Sequence, residues 1–382
     1  MNQELTYWVA LAHTPKMWTA RKNEIIAYCF QREKTIVDFF SSDQFLGMSL
    51  TPQEAVLLQQ TKSELANYAF MVEELLNQGF DIIPVTSQEY SPTLKSNLKY
   101  SSPIVLYTKG NKQILHEKSI AIVGSRNANE KSLKFTDNVA KKASMEYKVV
   151  VSGFAKGVDK QALDSALAYK GQSIIVLPQG ITTFSSGIKK YYKQIVGGDV
   201  LVLSTFHPKL PWSVDLAMAR NSIIYGLASE IYAAQSDDKG GTWNGVTEGL
   251  KKGRKVYVRV PEKKEKCANK ILISMGAAPV DIEGNDAYII QSIRKKDVEL
   301  NITVSLPSVN DSSIEDRIYD FLSKGTYSSK QIIDGLNLSN YSIQKMSSIL
   351  SKMKNINKIK EGKSTKYSLL STKRPTQLSL ML

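Results

Sequence analysis

The chain has 382 residues, 42% hydrophobic and 23% charged, with 50 Lys and Arg against 36 Asp and Glu and a formal net charge of +14. That length predicts two or three domains of an ordinary globular protein, and the basic excess favours a polyanionic partner, nucleic acid first. Two cysteines, Cys29 and Cys267, and three scattered histidines, His13, His116 and His207, exclude a disulfide framework and offer no metal-ligand spacing. Without a signal peptide or an apolar run near the ~18 residues of a membrane span, the expectation is a soluble, cytoplasmic chain that needs no cofactor.

In chain order, residues 1–80 read as a small helical domain. Leu5 to Leu11 starts an amphipathic segment, Ile25-Ile26 with Cys29-Phe30 begins another, and Thr51-Pro52-Gln53-Glu54 has the form of a capping box with proline at the first helical position. Ala66 to Leu76 makes a further helix that Gly79 ends. Asp81 to Val85 and Pro103 to Asn111 then read as strands.

From Ser119 the pattern changes. The apolar run Ile120-Ala121-Ile122-Val123 breaks into Gly124-Ser125-Arg126, a helix-length segment follows, and Val149-Val150-Val151 breaks into Ser152-Gly153-Phe154-Ala155-Lys156-Gly157. Two strands that each end in a glycine turn, with a helix between them, predict a βαβ unit whose loops open at one sheet edge. Backbone N–H groups and helix N-termini attract anions there, and Arg126 and Lys156 make the expected guest a phosphate. Further apolar runs at 173–177, 200–203, 230–234 and 255–260 alternate with helix-length segments. Near-continuous apolar strands of that kind predict a parallel sheet covered on both faces, so residues 81–292 read as an extended Rossmann-like α/β domain.

Within that domain, Arg220 and Asn221 and the backbone nest Lys239-Gly240-Gly241-Thr242 are further phosphate candidates. Lys189, Lys190 and Lys193 interleave with Tyr191 and Tyr192 close to Phe184, a mixture that suits single-stranded nucleic acid because cations follow the backbone while rings stack bases. Asp159 would cap or orient its loop. Residues 293–313 lose periodicity and read as a linker. Residues 314–370 then predict three helices and a hairpin, a winged helix-turn-helix, and the stretch 314–374 carries 12 Lys and Arg against 5 Asp and Glu. Residues 371–382 read as a flexible tail.

VGSR, SGFAKGVD, Ala219-Arg220-Asn221-Ser222-Ile223-Ile224, Lys239-Gly240-Gly241-Thr242 and Gly253-Arg254-Lys255-Val256-Tyr257 occur in order, and with them the chain resembles the DNA-processing protein A (DprA/Smf) family from about Leu5 to Leu370. The resemblance implies a sterile-alpha-motif-like N-terminal domain and a non-enzymatic, dimeric single-stranded DNA-binding protein that loads the RecA recombinase in transformation, recombination or defence. Together with the residues read above, it gives an expected site of Gly124, Ser125, Arg126, Ser152, Gly153, Lys156, Gly157, Phe184, Lys189, Lys190, Arg220, Asn221, Lys239, Gly240, Gly241 and Thr242. Two positions depart from the family pattern: Leu163 stands where a histidine is usual, and Gly240 to Gly245 drifts toward the LOG-type nucleotide hydrolases, with Glu248 in the place of their catalytic acid. A LOG-like enzyme or nucleotide sensor is therefore the alternative, and a transcriptional regulator acting through the winged helix is a third. Gln377 to Met381, with anchors at Gln377, Leu378, Leu380 and Met381, resembles the peptide that binds the DNA polymerase sliding clamp.

Overall fold

The computed structural model describes residues 2–287 and, within 314–369, all except 324, 337, 339–341, 354 and 362–363. The expected linker at 293–313 and the clamp-binding segment at Gln377–Met381 lie outside the described residues. Contacts divide the chain into two compact units, Met1–Glu299 and Leu300–Leu382.

The first unit opens with five helices, α1 (Asn2–His13), α2 (Thr19–Phe30), α3 (Ile36–Ser41), α4 (Pro52–Ser63) and α5 (Leu65–Asn77). Thr51 and Glu54 form the expected capping box, with Pro52 at the first helical position. Thr35 and Asp38 form a second one at α3, a six-residue helix too short to show a periodicity. Ile25 to Phe30 close α2 instead of opening a helix; its N-cap is Trp18, whose side chain makes no capping bond, so no local signal marks the start. Trp8, Leu11, Phe39, Phe40 and Leu75 share one hydrophobic core with Ile83, Leu106 and Leu201 of the sheet.

The remainder of the unit is β1 (Asp81–Pro84), α6 (Pro92–Leu98), β2 (Val105–Lys109), β3 (Ser119–Val123), α7 (Glu130–Met145), β4 (Val149–Ser152), α8 (Val158–Ala168), β5 (Ser173–Val176), α9 (Ser185–Lys190), α10 (Tyr192–Val196), β6 (Val200–Ser204), α11 (Val214–Leu227), β7 (Glu230–Ala233), α12 (Gly241–Lys251), β8 (Lys255–Arg259), α13 (Asn269–Ser274) and β9 (Ala278–Val280). The nine strands lie in the order β1-β2-β6-β5-β4-β3-β7-β8-β9. Strands β6 to β9 in that order are all parallel, whereas β2 runs antiparallel to both β1 and β6. Every residue of β3 to β6 is buried, as a sheet covered on both faces requires. Alternate side chains divide between two cores: Ala121, Val123, Val149 and Val151 join the one that extends to the N-terminal helices, and Ile120, Ile122 and Val150 pack on Phe135, Val139 and Ala162 of α7 and α8.

Strand β3 pairs with β4 on one side (Ala121 opposite Val151) and with β7 on the other (Val123 opposite Ala233), so the winding order reverses at β3. The carboxyl ends of strands at such a reversal leave a crevice between loops that diverge to opposite faces.

The second unit contains α14 (Ile314–Leu322), β10 (Tyr327–Ser328), α15 (Ser329–Gly335), α16 (Ile343–Lys352), β11 (Ile356–Glu361) and β12 (Ser364–Leu369). Its antiparallel sheet has the order β10-β12-β11. Ile318, Leu322, Ile332, Met346, Leu350 and Tyr367 form its core, and a Ser328–Gln331 capping box opens α15.

Candidate nucleic-acid interface

Three loops meet at the carboxyl ends of β3, β4 and β7, and glycines let their backbones touch. A Cβ on Gly124 would lie 2.6 Å from Val158 Cγ2, and one on Gly157, whose φ is +84°, would lie 2.5 Å from the Ser125 carbonyl oxygen. Both glycines therefore hold the β3 loop against the start of α8. The N–H of Ser125 donates to the Gln235 carbonyl at 2.9 Å, tying the same loop to the end of β7.

Between the loops lies a cavity of about 340 Å³ at the winding reversal, lined by Ser125 and Arg126 after β3, Asn221 on α11, and Lys239, Gly241 and Thr242 around the start of α12. Gly240, at φ +90°, is the N-cap of α12 and supplies no side-chain cap. The first backbone N–H groups of that helix have no intrahelical acceptor, which makes them donors for an anion. Missing side-chain atoms at Gly241 also make room for Asn221: a Cβ there would stand 2.5 Å from Asn221 Nδ2.

A second cavity of about 270 Å³ is lined by Gly153, Phe154, Lys156, Pro178, Phe184 and Trp212. It shares Arg126, Ala155, Ala217 and Arg220 with the first. No hydrogen bond or ion pair of the described residues engages the side chains of Arg126, Lys156 or Lys239, and all three are exposed.

Arg220 differs from them. It is 3% exposed, forms a wall of both cavities and lies flat over Gly153, where an added Cβ would fall 1.3 Å from its Nη1. Nη1 donates to the Val176 carbonyl at 3.2 Å and stands 3.9 Å from Asp159 Oδ2, while Nε is buried with no partner. Burial pulls the Arg220 pKa down, and Asp159 works against that. Burial likewise raises the Asp159 carboxyl, opposed by Arg220 and by hydrogen bonds from the backbone N–H groups of Ala155 and Gly153. Asp159 thus braces the β4 loop.

The remaining residues expected at the site are placed as follows. Ser152 is buried and donates to the Asp159 carbonyl at 3.1 Å, a structural bond. Phe184 is 8% exposed, packed edge-on against Phe154 at 5.1 Å and over Gly187, so it walls the second cavity and is not the free stacking ring expected of it. Lys189 and Lys190 are exposed on α9 but line neither cavity. Tyr191 beside them is buried and donates to Asp164 at 2.9 Å, which leaves Tyr192, 59% exposed, as the free ring of that segment. Glu248 is exposed and paired with Lys252, four residues on, away from the lining of the first cavity. Leu163, at the position of the family's histidine, is a core residue.

Several lining residues gave no sequence signal. Trp212, half exposed in the loop before α11, and Tyr225, buried on α11, sit outside the glycine motifs that mark the loops. Only the bare pairing of an aromatic with Pro211 in a loop marks Trp212.

Glycine turns, a reversal in strand order and exposed cations at the carboxyl ends of the strands define a doubly wound α/β protein with a cationic crevice. The chain belongs to the DNA recombination-mediator protein A family, which it matches over residues 81–290. It is 33% identical over 159 residues to DNA processing protein DprA of Streptococcus pneumoniae, covering 41% of this chain and 56% of that protein. It is 29% identical over 182 residues to the Bacillus subtilis DNA processing protein DprA, covering 47% and 60% respectively. The chain thus spans less than two thirds of the length of these relatives. The crystal structure of the Streptococcus pneumoniae protein superimposes with a TM-score of 0.61 at 23% identity over 74% of this chain and 97% of that one, a shared fold. Among the described residues no helix is long and apolar enough to cross a membrane, and no group of three or more His, Cys, Asp or Glu could hold a metal ion.

Proposed function

We propose that the chain binds single-stranded DNA across the ends of β3, β4 and β7 and passes the coated strand to the RecA recombinase. The observation that carries the reading is Arg126, a cation with no hydrogen bond or ion pair among the described residues, at the meeting point of two cavities. One cavity offers backbone donors and Lys239, and the other offers Lys156 with the rings of Phe154 and Trp212, which suits a backbone followed by charge and a base held by an aromatic wall. Membership of a recombination-mediator family and the name DNA processing protein carried by its relatives support the same role. Action as a cytoplasmic dimer, a winged-helix role for residues 314–370, and clamp contact through Gln377, Leu378, Leu380 and Met381 belong to this proposal.

Gel shifts of single- and double-stranded oligonucleotides across a salt series test it. Single strands should be retained preferentially, with an affinity that falls steeply as salt rises. Equal retention of both, or none, overturns the reading. The LOG-like alternative requires Glu248 to act in the cavity, whereas Glu248 is exposed, paired with Lys252 and not among the lining residues. Release of base from nucleoside monophosphates, abolished by Glu248→Gln, would favour that alternative.

A further inference from the structure

We infer that the cavity at the winding reversal holds the terminal phosphate of the strand, a phosphate monoester, in preference to a phosphodiester link from its middle. The inference rests on the single-strand reading above and adds which part of the strand enters.

Two independent features point to an anion. Uncapped N–H groups at the start of α12 reach the cavity beside Lys239 and the Thr242 hydroxyl. Arg220, which lines the same cavity, has a buried Nε without an acceptor among the described residues, and a buried charged donor left unpaired is costly. Three cations, Arg126, Arg220 and Lys239, line the cavity against two carboxylates, Asp159, which faces Arg220, and Asp237, which is exposed at the rim. A monoester carries a second negative charge that is lost near a pKa of about 6, and a third acceptor oxygen free of carbon.

Shape adds a separate argument. Val123, Ile224 and Tyr225 line the same cavity and are buried, so its inner end is closed by core residues. A link from mid-strand brings two sugars to that space, while a strand end brings one. At about 340 Å³, the space accepts a phosphate and its sugar more readily than a hairpinned backbone.

Anisotropy titrations of the full chain with one oligothymidylate in three forms test this: unphosphorylated, 5′-phosphorylated and 3′-phosphorylated. One phosphorylated form should bind about tenfold tighter at a pH of about 7.5, and the arm that gains identifies the end. That advantage should shrink at a pH of about 5.5, where the monoester has lost its second charge. The double variant Lys239→Ala, Thr242→Val should bring the ratio of affinities to one. Equal affinity for all three strands sinks the end-binding inference and leaves single-strand binding intact; failure to bind any of them sinks both. An advantage that survives the double variant overturns the assignment to this cavity.

Discussion

Arg126 and Gly153 test the site from opposite directions, one as a free cation and the other as an absence of atoms. Each phosphate neutralised on a single strand contributes roughly 0.7 to the slope of log affinity against log salt. Arg126→Ala should therefore flatten that slope by about one contact and weaken binding by about tenfold near 0.15 M salt, read in a filter-binding series; an unchanged slope removes Arg126 from the interface. At Gly153 a methyl group would fall on the Arg220 guanidinium. Gly153→Ala should lower the unfolding free energy by about 1–3 kcal/mol in urea titrations and weaken strand binding with it, because the guanidinium has to leave its seat against Asp159. Unaltered stability would mean that the seat is loose. The glycines and Arg126 were legible in the sequence since turn chemistry and charge are local properties. Burial of Arg220 and Phe184 was not: both are exposed or hidden by what packs over them, Gly153 and Asp159 in one case, Phe154 and Gly187 in the other.

Where α1 meets the sheet, His13 Nε2 shares a hydrogen bond of 2.7 Å with the Tyr107 hydroxyl of β2, and the His207 ring stands edge-on at 5.0 Å. Burial, followed by the charges of His207 and Lys22, lowers the His13 pKa from 6.5 to about 3. The unfolded chain therefore binds a proton at His13 between those two values and the folded chain does not, so the contribution of His13 is full above pH 6.5 and falls as the pH drops toward about 3. The loss approaches 1.4 kcal/mol per pH unit inside that window. Chemical denaturation at stepped pH should show it, and His13→Gln, which keeps a partner for Tyr107 and removes the titration, should make the profile shallower; parallel profiles would clear His13. Elements were legible in proportion to their length and to the strength of their ends. The Thr51–Glu54 box announces α4, whereas α2 starts without a cap and α3, β9 and β10 are six, three and two residues long. Strand direction was the harder property: β2 is as apolar as its neighbours, and its antiparallel course follows from how its connections reach β1 and β6, not from its own residues.

At the scale of the whole molecule, the parallel sheet was legible because strands buried on both faces read as unbroken apolar runs. Continuity of one core from Trp8 to the sheet was not, since a sequence shows which residues are apolar but not which partners they find. The clamp proposal is checked apart from the folded units: a peptide spanning residues 373–382 should bind a bacterial sliding clamp at micromolar concentration, through a few anchors on a short segment, and absence of binding, or binding undiminished by Leu380→Ala with Met381→Ala, removes that partner. The reversal of winding at β3 has a consequence for the life of the protein. Walls of the cleft come from residues 124–127 and 237–242, more than a hundred positions apart, brought together by the pairing of β3 with β7. A ligand held between those walls, as proposed, would bind the folded unit and not the unfolded chain, and would stabilise it by about 2.7 kcal/mol at a hundredfold excess over Kd. On the proposed function, a chain carrying its strand should therefore outlast an empty one under heat and proteases.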